Sequence, residues 1–352
     1  MDIQKIECLS SIEQREWDKL VENLGGSFFH SYAYGLRGAT KPNLDALFIK
    51  VFDRAGNCVG IVVGTISTPS LWPFSRYCKH AIIAALPASL NNGAGTEIEI
   101  MRAIEEKLKQ IGIFCIKVCS YDSPNSATVL SALAYKIKDR FEFYIDLSES
   151  EEDLWKKLQG ERRTDIRKAT RIGVKTRIED TITGLRLLYV FQAESLRRRG
   201  VQLPSTDNQA DVTKELLLDT GQAMLLISYF EGTPINAALF GIFNGRSYYL
   251  NSGSTIDGYK SCGPVHLIWT MIKLSRANGS KFLNLGGVTV PKEKASEDGL
   301  YRFKRDFGSK VIYQPAGTKV ISRFGAVLNA MLLLLKSLIT GHIGSNCQSK
   351  TN

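Results

Sequence analysis

The densest concentration of reactive groups lies between Lys156 and Arg177, where nine basic residues stand against two acids, Glu161 and Asp165. On a helix, Arg163, Arg167 and Arg171 recur every four residues and project from one side. A row of guanidinium forks captures phosphates two oxygens at a time, as on a nucleotide- or lipid-linked sugar or an RNA backbone. A solvated helix face carries the same pattern. A second candidate is Tyr259-Lys-Ser-Cys-Gly-Pro264, ahead of an apolar helical pattern. Unpaired amides and the dipole of a helix start favour anions, and Lys260 adds a cation. Tyr259, Lys260, Ser261, Cys262 and Gly263 therefore form a candidate donor-binding loop, although an ordinary helix start has the same signature.

Other chemistry is sparse. The seven cysteines (8, 58, 78, 115, 119, 262 and 347) are odd in number and lack CxxC spacing, which suits reduced, buried thiols. Histidines 30, 80, 266 and 342 form no ligand pair, so a zinc site is not expected. There is no GxSxG elbow, and Cys262, whose place at a helix start would lower its pKa, has no identified base. Among acids, Asp257, Glu293 and Asp298 lie near the candidate segments, and none stands out as a general base.

These groups must be positioned by a chain of 352 residues with 44% hydrophobic content and net charge +10. That is enough for two cored domains and excludes disorder and small disulfide scaffolds. One series of elements occurs twice. The first copy has a hairpin pattern turning at Asp53-Arg-Ala-Gly56-Asn57, a capping-box signature at Thr96–Glu99, and a helix closed by Gly112 before a strand at Ile113. The second turns at Glu231-Gly232, starts a helix at Pro264 and closes it at Gly279 before Phe282. The order is α+β. The expected units are 1–147 and 148–320, with a Ser150-capped helix opening the second, followed by a C-terminal helix and tail at 321–352. The apolar tail from Phe324 is too short to span a bilayer; with Lys319, Arg323 and Lys336 it suits either packing or an anionic membrane surface. The N-terminus lacks a basic start and an unbroken apolar run, so a cytoplasmic protein is expected.

Several stretches, taken in order, resemble the FemAB-like acyltransferases, which carry two acetyltransferase-fold (GNAT) domains in tandem. They are Asp146-Leu-Ser-Glu-Ser-Glu-Glu-Asp-Leu-Trp leading into Arg162-Arg-Thr-Asp-Ile-Arg-Lys-Ala169; Glu194-Ser-Leu-Arg-Arg-Arg-Gly200; Tyr259–Pro264; and Gly299-Leu-Tyr-Arg-Phe-Lys304-Arg-Asp-Phe-Gly308. The run Phe28–Gly35 is similar to the family's N-terminal segment. Unlike the classical members, this chain has no long heptad-rich helical arm.

The resemblance implies two mixed, mostly antiparallel sheets flanked by helices. It also implies transfer of an acyl or aminoacyl group to an amine of a cell-envelope sugar or peptidoglycan precursor. Acyl-CoA, an acyl-carrier protein or aminoacyl-tRNA would serve as co-substrate, with no tightly bound cofactor. It places a functional lysine at Lys304, whose expected role is to stabilise charge developing on the carbonyl oxygen or leaving group. Arg163, Arg167, Arg171, Arg199, Asn284 and Tyr301 are the candidate acceptor or phosphate contacts. The nucleotide- or lipid-linked acceptor allows peripheral contact with the cytoplasmic face of the membrane. The alternative is a non-catalytic RNA- or polyanion-binding protein acting through residues 156–177.

Overall fold

The structure is a computed structural model that describes residues 2–40, 43–91, 93–198, 200 and 209–334. Among these residues, fourteen strands build two seven-stranded sheets. In chain order they are β1 Ile3–Leu9, β2 Leu44–Asp53, β3 Cys58–Ser67, β4 Lys79–Ile83, β5 Ile113–Val118, β6 Lys136–Lys138, β7 Phe141–Asp146, β8 Lys175–Ile178, β9 Ala223–Phe230, β10 Thr233–Phe243, β11 Arg246–Ser254, β12 Phe282–Val288, β13 Lys310–Tyr313 and β14 Ala316–Val320.

The first sheet runs β1-β2-β3-β4-β5-β14-β6 and the second β13-β7-β12-β11-β10-β9-β8. Both are antiparallel except for one parallel pair each, β4 with β5 and β11 with β12. A long helix joins each parallel pair, Ala94–Gln110 in the first copy and Gly263–Ala277 in the second, as a parallel crossover requires. The duplicated glycines serve the same purpose in each copy. Gly56 and Gly232 turn the hairpins and Gly112 and Gly279 end the helices, all four at positive φ, where a Cβ is penalised.

The sheets do not divide cleanly at residue 147. Strand β7, which precedes that point, lies between β12 and β13 in the second sheet, whereas β14 returns to the first sheet between β5 and β6. Each sheet thus includes one strand from the other unit's stretch of the sequence.

The helix starts differ in one place from the sequence pattern. Ser150 caps its helix as expected, accepting from Asp153 N at 3.1 Å. In the first copy the helix begins earlier, at Ala94, with Gly93 as N-cap. Thr96 and Glu97 are thus interior to the first turn and Thr96–Glu99 is not a capping box, because Gly93, in extended backbone, already holds the N-cap position.

The units share a core. Phe28, Phe29, Phe48 and Ala85 from the first pack with Leu185, Leu188, Leu225, Phe243 and Tyr248 from the second. On the far face of the second sheet, helices Glu151–Lys157, Gly160–Arg171 and Gly263–Ala277 cover a separate core that includes Leu154, Ile166, Phe240 and Ile268. The helix Ile182–Arg197 lies so close to β11 that a Cβ on Gly253 would sit 2.2 Å from Gln192 N. Backbone cannot yield to such a contact. Gly253→Ala should therefore cost about 2–3 kcal/mol, read as a lower denaturant midpoint with unchanged slope.

Candidate active site between the two sheets

The two parallel pairs behave differently. Strands β4 and β5 stay paired from Lys79 with Ile113 to Ile83 with Val118, whereas β11 and β12 pair only at Ser247 with Leu283 and Tyr248 with Asn284. Beyond those positions the second pair opens, and β12 shifts register between Asn284 and Gly287. Gly286 takes φ +74° there. This opening is where side chains from several elements meet.

Lys304 comes to it from the helix Gly299–Arg305, whose N-cap Asp298 accepts from Tyr301 N at 2.8 Å. Phe303 and Phe307 meet edge to face at 5.4 Å, and Phe307 is buried, so the aromatic pair anchors the segment in the core as its i, i+4 spacing suggests. Lys304 is only 6% exposed. Its Nζ donates to Gly287 O at 3.3 Å and lies 6.0 Å from the Tyr249 ring centroid. That is its one hydrogen bond among the described residues, which leaves two donors of a three-donor ammonium for a substrate. Burial, and then the Arg140 charge, lower its pKa to about 7, with Glu142 opposing. The lysine is therefore poised to change charge near neutrality.

Behind Lys304 lies a buried polar network that the sequence analysis did not single out. Glu142 is fully buried on β7 and pairs with Arg140. It also accepts from Tyr144 OH at 2.6 Å, Asn284 Nδ2 at 2.8 Å and Asp122 N at 3.1 Å. Asp122, in the loop after β5 of the first unit, accepts from Tyr144 OH at 2.9 Å and Tyr248 OH at 2.8 Å and lies 3.6 Å from Arg246. Burial first, and then the Glu142 charge, raise the Asp122 pKa, against Arg246. Tyr144 and Tyr248 are held well above the ordinary tyrosine range, chiefly by burial. They remain protonated and donate to the acids.

The network reaches Lys304 through Asn284. While its Nδ2 donates to Glu142, its Oδ1 accepts from Gly286 N at 2.7 Å, which fixes the bulge whose Gly287 carbonyl holds the lysine. Arg140 packs against Gly287 so tightly that a Cβ there would sit 2.3 Å from Nη2. Asn284 is thus a positioning residue with both ends of its amide satisfied inside the protein.

The other sequence candidates scatter. Arg163 is not part of a free row: its Nη1 donates to Lys156 O at 2.9 Å and to Leu158 O, closing the end of the preceding helix. Arg167 and Arg171 do remain exposed. Tyr301 packs edge to face on Phe141 and Phe143, a core contact rather than an open one. Arg199 lies outside the described residues. Of the acids, Asp298 is spent on its cap, and Asp257 forms an exposed ion pair with Lys260 at 3.4 Å.

The segment Tyr259–Gly263 does lead into a helix, Gly263–Ala277 with Pro264 in its first turn, but Tyr259 and Lys260 end a short helix of their own, Ile256–Lys260. Cys262 is its N-cap in the left-handed region, φ +58°. Its thiol is pushed up rather than down, by burial and then by Asp165, whose Oδ1 lies 3.6 Å from Sγ. The expected lowering fails because burial, and then the facing carboxylate, favour the protonated thiol. Ser261 is buried with Oγ donating to Asp257 O, while Tyr259 is half exposed beneath Arg198. Gly263 leaves no room for a side chain, a Cβ lying 2.4 Å from Asn236 Oδ1. Lys260 is exposed, and its carbonyl accepts from Lys168 Nζ at 3.1 Å, which ties the loop to the basic helix. Among the described residues there is no disulfide and no metal-ligand cluster.

Comparison with known proteins agrees with this arrangement. Residues 202–318 match the FemAB family. The lipid II:glycine glycyltransferase of Staphylococcus haemolyticus (strain JCSC1435) is 29% identical over 130 residues, which cover 37% of this chain and 30% of that relative. The chain thus spans about a third of the length of the curated relatives it matches. A crystal structure of FemX superimposes with a TM-score of 0.69 at 15% identity, covering 89% of this chain and 97% of FemX. A tandem GNAT protein from the clavulanic acid biosynthesis pathway gives 0.54 at 9% identity, covering 90% and 99%. The chain thus has the fold of FemX and of a tandem GNAT protein, and about a third of it resembles the FemAB family.

Proposed function

We propose that the protein is an aminoacyltransferase that moves an aminoacyl group from an activated ester or thioester to an amine of a lipid-linked peptidoglycan precursor. The observation that carries this reading is Lys304, a buried ammonium with unused donors at the opening between β11 and β12. The names of the matched relatives, which transfer glycine to lipid II, supply the acceptor class. In the proposed step the acceptor amine attacks the donor carbonyl directly, the C–N bond forms and the donor C–O or C–S bond breaks. The proton lost by the amine ends on the leaving oxygen or sulfur. Lys304 stabilises the developing negative charge, which a preorganised cation in a dry site does better than water. A covalent thiol route is disfavoured because Cys262 is held protonated beside Asp165.

A lipid-linked acceptor calls for contact with a bilayer surface. Among the described residues no helix is long and apolar enough to cross a membrane. Residues 323–334 are helical and expose Phe324, Val327, Met331 and Leu333, and Tyr77 meets Phe324 at 5.3 Å. Nearby Leu71 and Trp72 are also exposed, Trp72 by 75%. Such a patch is larger than scattered surface apolar residues require, and with Arg323 it suits an interfacial site. Lys319, expected to assist, is instead paired with Glu105, and Lys336 lies outside the described residues.

Transfer, stability and vesicle binding each test this reading. With labelled donor, either charged tRNA or acyl-CoA, and a lipid-linked precursor, the protein should transfer label. Lys304→Met should lower kcat about 100-fold or more with little change in acceptor affinity; loss of label to no acceptor from either donor would end the enzyme reading. Lys304→Arg should remove the fall in rate as pH rises through about 7, since a guanidinium stays charged. Stability has its own pH dependence. Below about pH 7 Lys304 is protonated both folded and unfolded and the full cost of burying its charge is present. That cost fades as pH rises toward 10.5, where only the unfolded chain still holds the proton. Lys304→Met should therefore raise the melting temperature more at pH 6 than at pH 9. Finally, the protein should sediment with anionic phospholipid vesicles, and Trp72→Ser with Phe324→Ser should weaken that binding about tenfold.

A further inference from the structure

On the face of the second sheet away from the shared core, two open cavities adjoin at a pair of tryptophans. Trp155 and Trp269 meet at 5.1 Å between ring centroids and line both. The larger cavity, about 680 Å³, is bounded by Glu151, Glu152 and Lys156, and the smaller, about 450 Å³, by Arg167, Arg171 and Lys273. The guanidinium of Arg167 stacks over the Trp155 ring at 5.5 Å. None of the three cations forms an ion pair among the described residues, in contrast to Arg162, Lys156 and Lys157 close by. Three exposed, unpaired positive charges around one concavity make it locally attractive to an anion.

The groove has two chemically distinct ends with an aromatic wall between them. One end offers two carboxylates beside Lys156, itself paired with Asp153, and the other only unpaired cations. A nucleotide has the matching distribution: a flat base with an exocyclic amine to donate, and a phosphate. Both cavities fall in the size range of small-ligand sites. The groove is also linked to the proposed transfer site. Trp269 lies on the helix Gly263–Ala277, six residues and about 9 Å along the axis from its start. Lys168, on the helix bearing Arg167 and Arg171, donates to the Lys260 carbonyl in the donor loop.

We infer that this groove binds an adenine nucleotide, the base against Trp155 and Trp269 and the phosphate on Arg167, Arg171 and Lys273. That chemistry occurs at the 3′ end of a charged tRNA and in the adenosine phosphate of coenzyme A. Its assignment to the donor rests on the transferase reading, whereas nucleotide binding itself does not.

The test is a titration of the full chain followed by tryptophan fluorescence, with the trinucleotide CCA, coenzyme A and inorganic phosphate as separate probes. Saturable quenching by CCA or by coenzyme A is expected, and the probe that binds more tightly identifies the source. Arg167→Gln with Arg171→Gln should weaken it at least tenfold while circular dichroism stays unchanged, and Lys273→Gln alone should weaken it about threefold. No quenching by either nucleotide at millimolar concentration, quenching insensitive to all of these substitutions, or equal displacement by inorganic phosphate would overturn the inference. If label transfer still depends on Lys304 when the groove binds nothing, the groove fails and the transferase reading stands. Nucleotide binding without any transfer gives the reverse.

Discussion

Two carboxylates, Asp122 and Glu142, are buried together at the junction of the sheets, and the rest of the site depends on how that burial is compensated. A charge removed from water is tolerated only when paired and hydrogen-bonded. Arg140 and Arg246 supply the charge, Tyr144, Tyr248 and Asn284 the donors. These partners come from β7, β11 and β12 of the second sheet, while Asp122 belongs to a loop of the first unit. Asp122 therefore takes its side-chain partners from the other unit, and Glu142 takes one further donor, Asp122 N, in return. The same amide that satisfies Glu142 sets the β12 bulge, so the position of Lys304 follows from the solution of an electrostatic problem one layer below it.

The duplicated fold explains why only one of the two sheets offers such a place. In the first, β4 and β5 remain paired over their shared length and the space between them is filled by backbone. In the second the parallel pair ends after two positions. The bulge at Gly286 and Gly287 admits both the Arg140 guanidinium and the lysine where side chains on β12 would otherwise stand. One architecture thus stays closed in the first copy and opens at the candidate site in the second.

What the sequence reveals and conceals follows from range. The hairpin turns at Gly56 and Gly232, the helix ends at Gly112 and Gly279, the Ser150 cap and the Phe303–Phe307 anchor are local or helical-period signals, and they read correctly. Lys304 was legible only by resemblance, since nothing in Tyr301-Arg-Phe-Lys-Arg distinguishes a buried lysine from a surface one. Glu142 and Tyr144 left a trace, polar residues alternating with Phe141, Phe143 and Ile145, but both faces of β7 are covered and alternation then loses its meaning. Asp122 and Arg246 are far apart in sequence and meet only through tertiary packing. Arg163 misled because helical spacing predicts a shared face but not that a carbonyl of the preceding turn will take the guanidinium.

The exchange of β7 and β14 bears on how the molecule comes to exist. Gly317 pairs with Val118, and Phe143 on β7 pairs with Val311. The first sheet therefore keeps a gap between β5 and β6 until nearly the last described residues of the chain have been synthesised. Local structure in the first unit can form early, yet closure of its sheet is a long-range contact that pays its loop entropy late. For a chain emerging from the ribosome, the first-made half must wait, with an unfilled sheet edge, for the last-made strand.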